Sequence, residues 1–425
     1  MTKPSASSAH ERLRPGAAAL LGLLRPGGGP GDAAHACELP PQAWNEVLEL
    51  ALQHGVAPLL QRALKSAGAL AEIPEHVRTR LDLERHATGL LNLRKYGELR
   101  RIAAVLRGQD IPLIALKGLH LADLVYPDIG LRPMSDLDIL VPRAQVAQAV
   151  AAVHGLGYGF DGDFSGSLDA IIDTKCDLEL KHHQTHLPLE LHWSLFEPPG
   201  RYGALVEDIW RSAVPARPGD ADALVMSPEF ALLHVCAHLA CHHAFVFDLR
   251  ALCDIAAIVQ ARPDLDWARF VDQGRRHGLG RGVAAALRLA CDHLGAAVPA
   301  DVLAALGADA LDPGMLAEAM EQLLASGDMP DGLNHAANLM AFVGKRGPGE
   351  KLAALWARLC VSRAELAMTY GVPEGSARLV FYYAVRLKDL LCRYAASAWA
   401  LNVSDPRLAA AAARHARLAK WISGA

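Results

Sequence analysis

The sequence predicts an α+β protein, a small mixed sheet embedded between a helical N-terminal region and a larger all-α C-terminal part. Two observations carry this. Strand-like runs are dense only between residues 109 and 200, at 111–116, 137–141, 177–181 and 187–193. On either side, apolar residues recur at three- and four-residue steps, the period of helices with one buried face. The expected organisation is a flexible segment at 1–40, a helical lead-in at 41–108, the α/β core at 109–200 and helical lobes over 201–425, with a break expected near 344–351.

Taken in order, residues 1–40 are rich in Ser, Gly and Pro, with PGGGPGD at 26–32 as a linker after one short helix at 17–25. AWNEVLELALQHG and VAPLLQRALKSAG then read as helices, and 75–107 as a long one that Gly108 and Asp110 end. Its buried side is expected to be Leu81, Leu83, Leu90, Leu91, Leu93, Leu99, Ile102 and Leu106. The core follows as a strand, a Lys117-Gly118 turn, a helix at 119–125, a loop carrying Arg132, a strand opening with Asp136-Leu137-Asp138, and a helix at 144–153 stopped by Gly155 and Gly157. Two further strands are joined by HHQTH.

After Gly200 the pattern is almost wholly helical. Ser227-Pro228-Glu229 supplies a capping hydroxyl, a first-position proline and an acid near the dipole, opening a helix to about His243. Further helices are expected at 247–259, 265–295, 313–326, 332–343, 349–369, 374–401 and 405–422.

A chain of 425 residues with 52% hydrophobic and 21% charged residues is long for one core, so two or three packed lobes are expected. A formal charge of −4 gives no general pull toward nucleic acid or acidic lipid, and Arg94, Lys95, Arg100 and Arg101 read as a solvated helix face. No apolar run reaches the length of about 18 residues that a membrane span needs. The eight cysteines include no CxxC pair and sit mostly in apolar helical patterns, which fits reduced thiols in a cytoplasmic protein. The apolar segment after Arg12 and Arg14 is too short to favour a secretory signal.

Side chains alternate faces along a strand, so Asp136 and Asp138 point one way while Leu137, Ile139 and Val141 point the other. Two carboxylates in one small space repel unless a cation lies beside them, and hard oxygens suit Mg²⁺ carrying a phosphate-bearing substrate. The Lys117-Gly118 turn lies between a strand and a helix, where backbone N–H groups, the glycine and the lysine charge suit a phosphate. In LPLELHW, Glu190 leaves the face its neighbouring leucines occupy, and it completes a three-carboxylate cluster if its strand neighbours the Asp136 strand. His192 shares the face of Glu190, and Glu179 is the reserve third acid. Arg132 reaches a phosphate or pairs with Asp128 or Asp136.

These features resemble the nucleotidyltransferase fold shared with DNA polymerase beta. More closely, ALKGLHLADLVYPDIGLRPMSDLDILVPR, LELHW, and SPEFALLHVCAHLACHH followed by LCDIA are similar to a large bacterial group described as uncharacterised nucleotidyltransferases. The likeness spans roughly residues 44–395 and is most specific over 111–193. It implies that Asp136 and Asp138 are the metal-binding pair, Glu190 the third acid and Gly118 the phosphate-turn glycine. Lys117-Gly118 stands where the wider superfamily has Gly-Ser, and the interval from Gly118 to Asp136 is long for that superfamily. The activity implied is attack of an acceptor hydroxyl on the α-phosphorus of an NTP, with ATP expected, assisted by two Mg²⁺ ions and releasing pyrophosphate. The acceptor class is a small molecule, a peptide or a protein, with an RNA end less favoured. The competing reading is a non-catalytic nucleotide-binding scaffold whose helical lobes engage a partner.

His234, His238 and His242 recur at four-residue steps with Cys241 beside them, a spacing that suits zinc or ordinary helix packing. His182, His183 and His186 sit in the turn before the Glu190 strand, as a hairpin tip or an acceptor contact. Asp254 is read as structural, paired with Arg250. Tyr382, Tyr383, Arg386, Lys388 and Arg393 place aromatics and cations on one late helix, as core or as the floor of an acceptor cleft.

Overall fold

The computed structural model describes residues 13–25, 38–160, 168–197, 199–246, 248–325, 377–399 and 406–424, with isolated positions between 361 and 376. The linker at 26–32, the helix at 332–343, the break at 344–351 and nearly all of the helix at 349–369 lie outside them.

Four helices lead in: α1 (Pro15–Leu23), α2 (Pro41–Gln53), α3 (Ala57–Ser66) and α4 (Glu75–Arg107). The mixed region runs β1 (Ile114–Ala115), α5 (Lys117–Leu124), β2 (Leu137–Leu140), α6 (Val146–His154), β3 (Tyr158–Gly159), α7 (Leu168–Thr174), β4 (Asp177–His182), β5 (Pro188–His192), α8 (Gly203–Ser212), β6 (Val214–Ala216) and β7 (Ala223–Val225). Then come α9 (Pro228–Ala237), a π-helical turn at His238–His242, α10 (Leu249–Ala261), α11 (Trp267–Arg276), α12 (Gly280–Leu294), α13 (Ala300–Ala305), α14 (Pro313–Leu323), α15 (Leu379–Trp399) and α16 (Pro406–Ser423).

The strands form one mixed sheet in the order β3-β4-β5-β2-β1-β7-β6. The β4–β5 hairpin is the one expected around HHQTH. β2 lies between β5, its parallel neighbour, and β1, its antiparallel neighbour. β6 and β7 are two strands that the almost wholly helical pattern beyond Gly200 did not indicate. Each has three residues, too few for alternation to show, and β7 is fixed from outside by parallel pairing of Ile114 with Leu224. Without β7, the outer edge of β1 would carry unpaired backbone groups.

Leu137 and Ile139 of β2 and Leu189 and Leu191 of β5 join Leu99, Ile102, Leu106, Val146 and Val153 in a core on one face of the sheet. Ile114, Leu116 and Leu140 belong instead to a larger core shared by α1–α3 and the helices after residue 225. Asp138, Glu190 and His192 alternate with the first set of leucines, so they face the larger core. Asp138 and Glu190 therefore lie on the sheet face turned toward α1–α3 and the helices after residue 225.

Helix α4 has the expected bounds but not the expected buried side. Leu81, Leu99, Ile102 and Leu106 are buried, whereas Leu83, Leu90, Leu91 and Leu93 are 57, 70, 50 and 57% exposed. Thr88, Asn92, Lys95 and Glu98 are buried in their stead. The middle of the helix packs on a loop whose carbonyls need donors. Asn92 Nδ2 donates to Ile129 O at 2.6 Å and Arg132 O at 2.8 Å, and Lys95 Nζ to Met134 O at 2.6 Å. Lys95 thus leaves the solvated basic face expected of it. Ser227 holds the N-cap position of α9, but its buried hydroxyl makes no capping bond and has no partner among the described residues.

No described helix is long and apolar enough to cross a membrane. The described cysteines are free: Cys176, Cys236 and Cys253 are buried, Cys291 is half-buried and Cys241 is exposed. Tyr382 and Tyr383 pack against a small cluster of Leu366 and Leu379, and the Tyr383 hydroxyl donates to Val361 O at 2.8 Å.

Candidate active site

The parallel register of β2 and β5 pairs Asp138 directly with Glu190 and Leu140 with His192. Ligand atoms of Asp138, Glu190 and His192 lie within 4.8 Å of one another. His192 Nε2 bridges the two acids, 3.1 Å from Asp138 Oδ1 and 3.2 Å from Glu190 Oε2. Lys117 Nζ reaches the same pair, 2.8 Å from Asp138 Oδ1 and 3.7 Å from Glu190 Oε2. Asp136 sits half-exposed one step before β2, its Oδ2 accepting from Ser135 Oγ at 2.9 Å.

Charge follows this geometry. Burial opposes ionisation of Asp138, but Lys117 and His192 outweigh it and hold the carboxyl well below its ordinary range. Burial likewise opposes the charge on Lys117, and Asp138 and then Glu190 overcome it and push the amine up. His192 is drawn up to about 9: burial works against its proton, and the bonds to Asp138 and Glu190 hold it. Asp136 is pushed up to about 6 by burial and by the neighbouring charges of Asp138 and Glu190. It is the acid of the three whose charge is least compensated. Asp138, Glu190 and His192 are the group whose ligand atoms converge closely enough to take a divalent cation; Asp136 is not in that group, although it is near enough to feel the charges of Asp138 and Glu190.

The Lys117-Gly118 turn has an unexpected form. Lys117, the first residue of α5, has φ 39, the left-handed region that costs an L-residue roughly 1–2 kcal/mol. Gly118 is required by close packing: a Cβ would lie 2.5 Å from Met134 Cγ and 2.6 Å from Arg132 Nη1.

Arg132 is not placed for the phosphate contact expected of it, nor for the pairs with Asp128 or Asp136. Its Nη2 donates to Asp254 Oδ2 at 2.8 Å, its Nε faces both oxygens of Asp254 at 3.3 Å, and Nη1 donates to Pro133 O at 3.3 Å. Asp254 also accepts from Tyr126 Oη at 2.8 Å. The expected partner of Asp254, Arg250, instead donates to Pro133 O at 3.2 Å. A buried guanidinium needs a full carboxylate, and only the fold brings Asp254 to it. Asp128 pairs with Arg85. The loop ahead of Asp136 is thus clamped by α4 from one side and α10 from the other.

Glu179 opposes Glu190 across the hairpin but is exposed. Asp177, opposite His192, is the more relevant residue of β4, with Oδ2 3.7 Å from His192 Nδ1. Its position two residues before Glu179 was the only sequence signal for it. The hairpin turn lies at the end of β5 away from His192. There His183 and His186 are exposed, as a hairpin tip requires, whereas His182 is buried, its Nδ1 accepting from the backbone N–H groups of Gln184 and Thr185.

The helix carrying His234 and His238 faces this site. Burial depresses both imidazoles, and the positive charge of Lys117 depresses them further. Half-buried His243 and exposed His242 also feel Lys117. Cys241 turns away to α12, where a Cβ on Gly282 would lie 2.8 Å from its Sγ.

The model of a family described as "Uncharacterised nucleotidyltransferase" matches residues 40–295. No curated protein and no solved structure matches the chain.

Proposed function

We propose that this chain, which belongs to the family of uncharacterised nucleotidyltransferases, moves a nucleoside monophosphate from an NTP, ATP in the first instance, to an acceptor hydroxyl with release of pyrophosphate. The observation that carries this reading is the register pairing of Asp138 with Glu190, which joins two acids from separate strands beside Lys117, with Asp136 two residues before Asp138. Asp136, Asp138 and Glu190 would hold two Mg²⁺ ions, which when bound supply an activated acceptor oxygen and neutralise the triphosphate.

The chain's own residues have separate tasks. Lys117 is 21% exposed and tethered to Asp138 from a flexible stem. On nucleotide entry it exchanges that carboxylate for a phosphate oxygen, retaining one charge-assisted bond throughout. His192 keeps Asp138 and Glu190 at a fixed separation from the β5 side. Clamping of the 128–134 loop by Asn92, Lys95 and Asp254 orients Asp136. A small molecule, a peptide or a protein is the acceptor class this reading favours over an RNA end, given the formal charge of −4.

The test uses the purified chain with Mg²⁺, an acceptor-containing cell extract and ATP labelled at either the α or the γ phosphorus. Label from the α position is expected on an acceptor, with γ-label leaving as pyrophosphate. Transfer of γ-label alone would mean phosphoryl transfer, and nucleotide binding without pyrophosphate release would favour the scaffold reading.

A further inference from the structure

We propose that His238, His242 and His243 form a second metal site, distinct from the carboxylate cluster and suited to a borderline divalent ion such as Zn²⁺. One nitrogen from each ring lies within 4.8 Å of the others. In a regular α-helix, residues i, i+4 and i+5 do not share a face. Here the chain departs from the α-helix at His238: the N–H of His243 donates to His238 O at 3.1 Å, and that of Phe245 to Leu239 O at 2.9 Å. A turn closed by i to i+5 bonds swings residue i+5 back over residue i, so His242 and His243 flank His238.

The ring centroids are 5.1 Å apart for His238 and His242, 4.4 Å for His238 and His243, and 4.8 Å for His242 and His243; His238 and His242 are stacked nearly parallel, with His243 edge-on to both, so ligation of one ion requires one ring of the stacked pair to turn about its side-chain torsions. Backbone strain accompanies this turn. Ala244 and Phe245, immediately after it, adopt φ 45 and φ 63, and both are buried. Such strain persists where the surroundings enforce it, commonly at a working site.

Among the described residues, none of the three rings has a hydrogen-bond partner. Other histidines of the chain do: His277 meets Asp208 at 3.2 Å, and His76 meets Asn45 at 2.8 Å. Three neighbouring imidazoles with no protein hydrogen-bond partner among the described residues offer their nitrogens as metal ligands. Their chemistry differs from that of the acids, because imidazole nitrogen selects Zn²⁺ and its neighbours in the series, whereas Mg²⁺ goes to carboxylate oxygen. Three ligands leave a fourth tetrahedral position for water or an oxygen of a bound molecule, and exposed His242 gives that position access to solvent. Neither of the other sequence candidates belongs to the set. His234 packs edge-on against Phe196 and His238, and Cys241 faces α12.

The test is calorimetric titration of the chelator-stripped full chain with Zn²⁺ alone, repeated on His242→Ala and on Asp138→Asn. One equivalent is expected to bind to Asp138→Asn, whose carboxylate site has lost charge; the same transition is expected in the wild type beside any uptake by the acids, and it is expected to vanish in His242→Ala. Co²⁺ added to the stripped wild type is expected to give the visible absorption of a tetrahedral nitrogen site, a readout that does not depend on any variant folding. No uptake by the wild type, that transition retained in His242→Ala, or its loss in Asp138→Asn would each overturn the proposal. The outcome is independent of nucleotide transfer, so failure of either proposal leaves the other standing.

Discussion

Asp138→Asn will reduce Mg²⁺-dependent pyrophosphate release from an NTP by roughly 10²–10³-fold or more, the scale lost when a group acting on developing charge is removed. Asp138 is the most buried acid of the cluster and is held ionised by Lys117 and His192. Asn keeps its shape and one oxygen but deletes the charge that both cations and any bound metal answer. The fold should survive, because Lys117 has solvent within reach and His192 retains Glu190 at 3.2 Å. Circular dichroism should therefore match the wild type while release is lost. Equal release rates for the two proteins would remove Asp138 from the chemistry.

Asp254→Ala carries the largest expected stability effect, a loss of about 3–5 kcal/mol, because it strands the buried charge of Arg132. It also leaves the buried Tyr126 hydroxyl without its acceptor. Urea unfolding followed by far-ultraviolet circular dichroism measures this as a fall in midpoint at unchanged slope. A loss below about 1 kcal/mol would show that solvent or a neighbour satisfies Arg132, contrary to its burial. Replacing both partners by apolar residues of similar volume, Arg132→Met with Asp254→Leu, should recover much of the stability. Nucleotide transfer should not return with it, since Arg132 also braces Pro133 and lies under Gly118.

Asp138 and Glu190 were legible because their placement rests on alternation, while Asp136 precedes β2 and lies outside the group they form with His192. A strand fixes the shared face of Glu190 and His192 and opposes both to Leu189 and Leu191, and the structure adds only the register that sets Glu190 beside Asp138. The helices of the lead-in were legible for a similar reason, with α4 running from Glu75 to Arg107 as its pattern requires. What escaped depends on contacts that periodicity does not encode. Arg132 and Asp254 lie 122 positions apart and meet only when α10 packs beside the loop. Leu90 and Leu93 look like core residues, yet Asn92 and Lys95 take the inward side because buried carbonyls demand donors. The left-handed backbone of Lys117 leaves no trace in residue type, since glycine rather than lysine is the usual occupant of that conformation. The three-histidine set was half visible: a four-residue spacing finds His238 and His242, but only a π-helical turn adds His243.

The central claim is that Asp136, Asp138 and Glu190 hold the metal of a nucleotide-transfer site, with Lys117 moving from Asp138 to phosphate. A crystal structure with Mn²⁺ in place of Mg²⁺ and a non-hydrolysable ATP analogue tests it most directly, using the anomalous signal of the metal. The prediction is anomalous density within coordination distance of Asp136, Asp138 and Glu190, the triphosphate at the start of α5, and Lys117 Nζ withdrawn from its 2.8 Å contact with Asp138. A nucleotide bound elsewhere, or bound here with no metal on the acids and the Lys117–Asp138 contact intact, would contradict it.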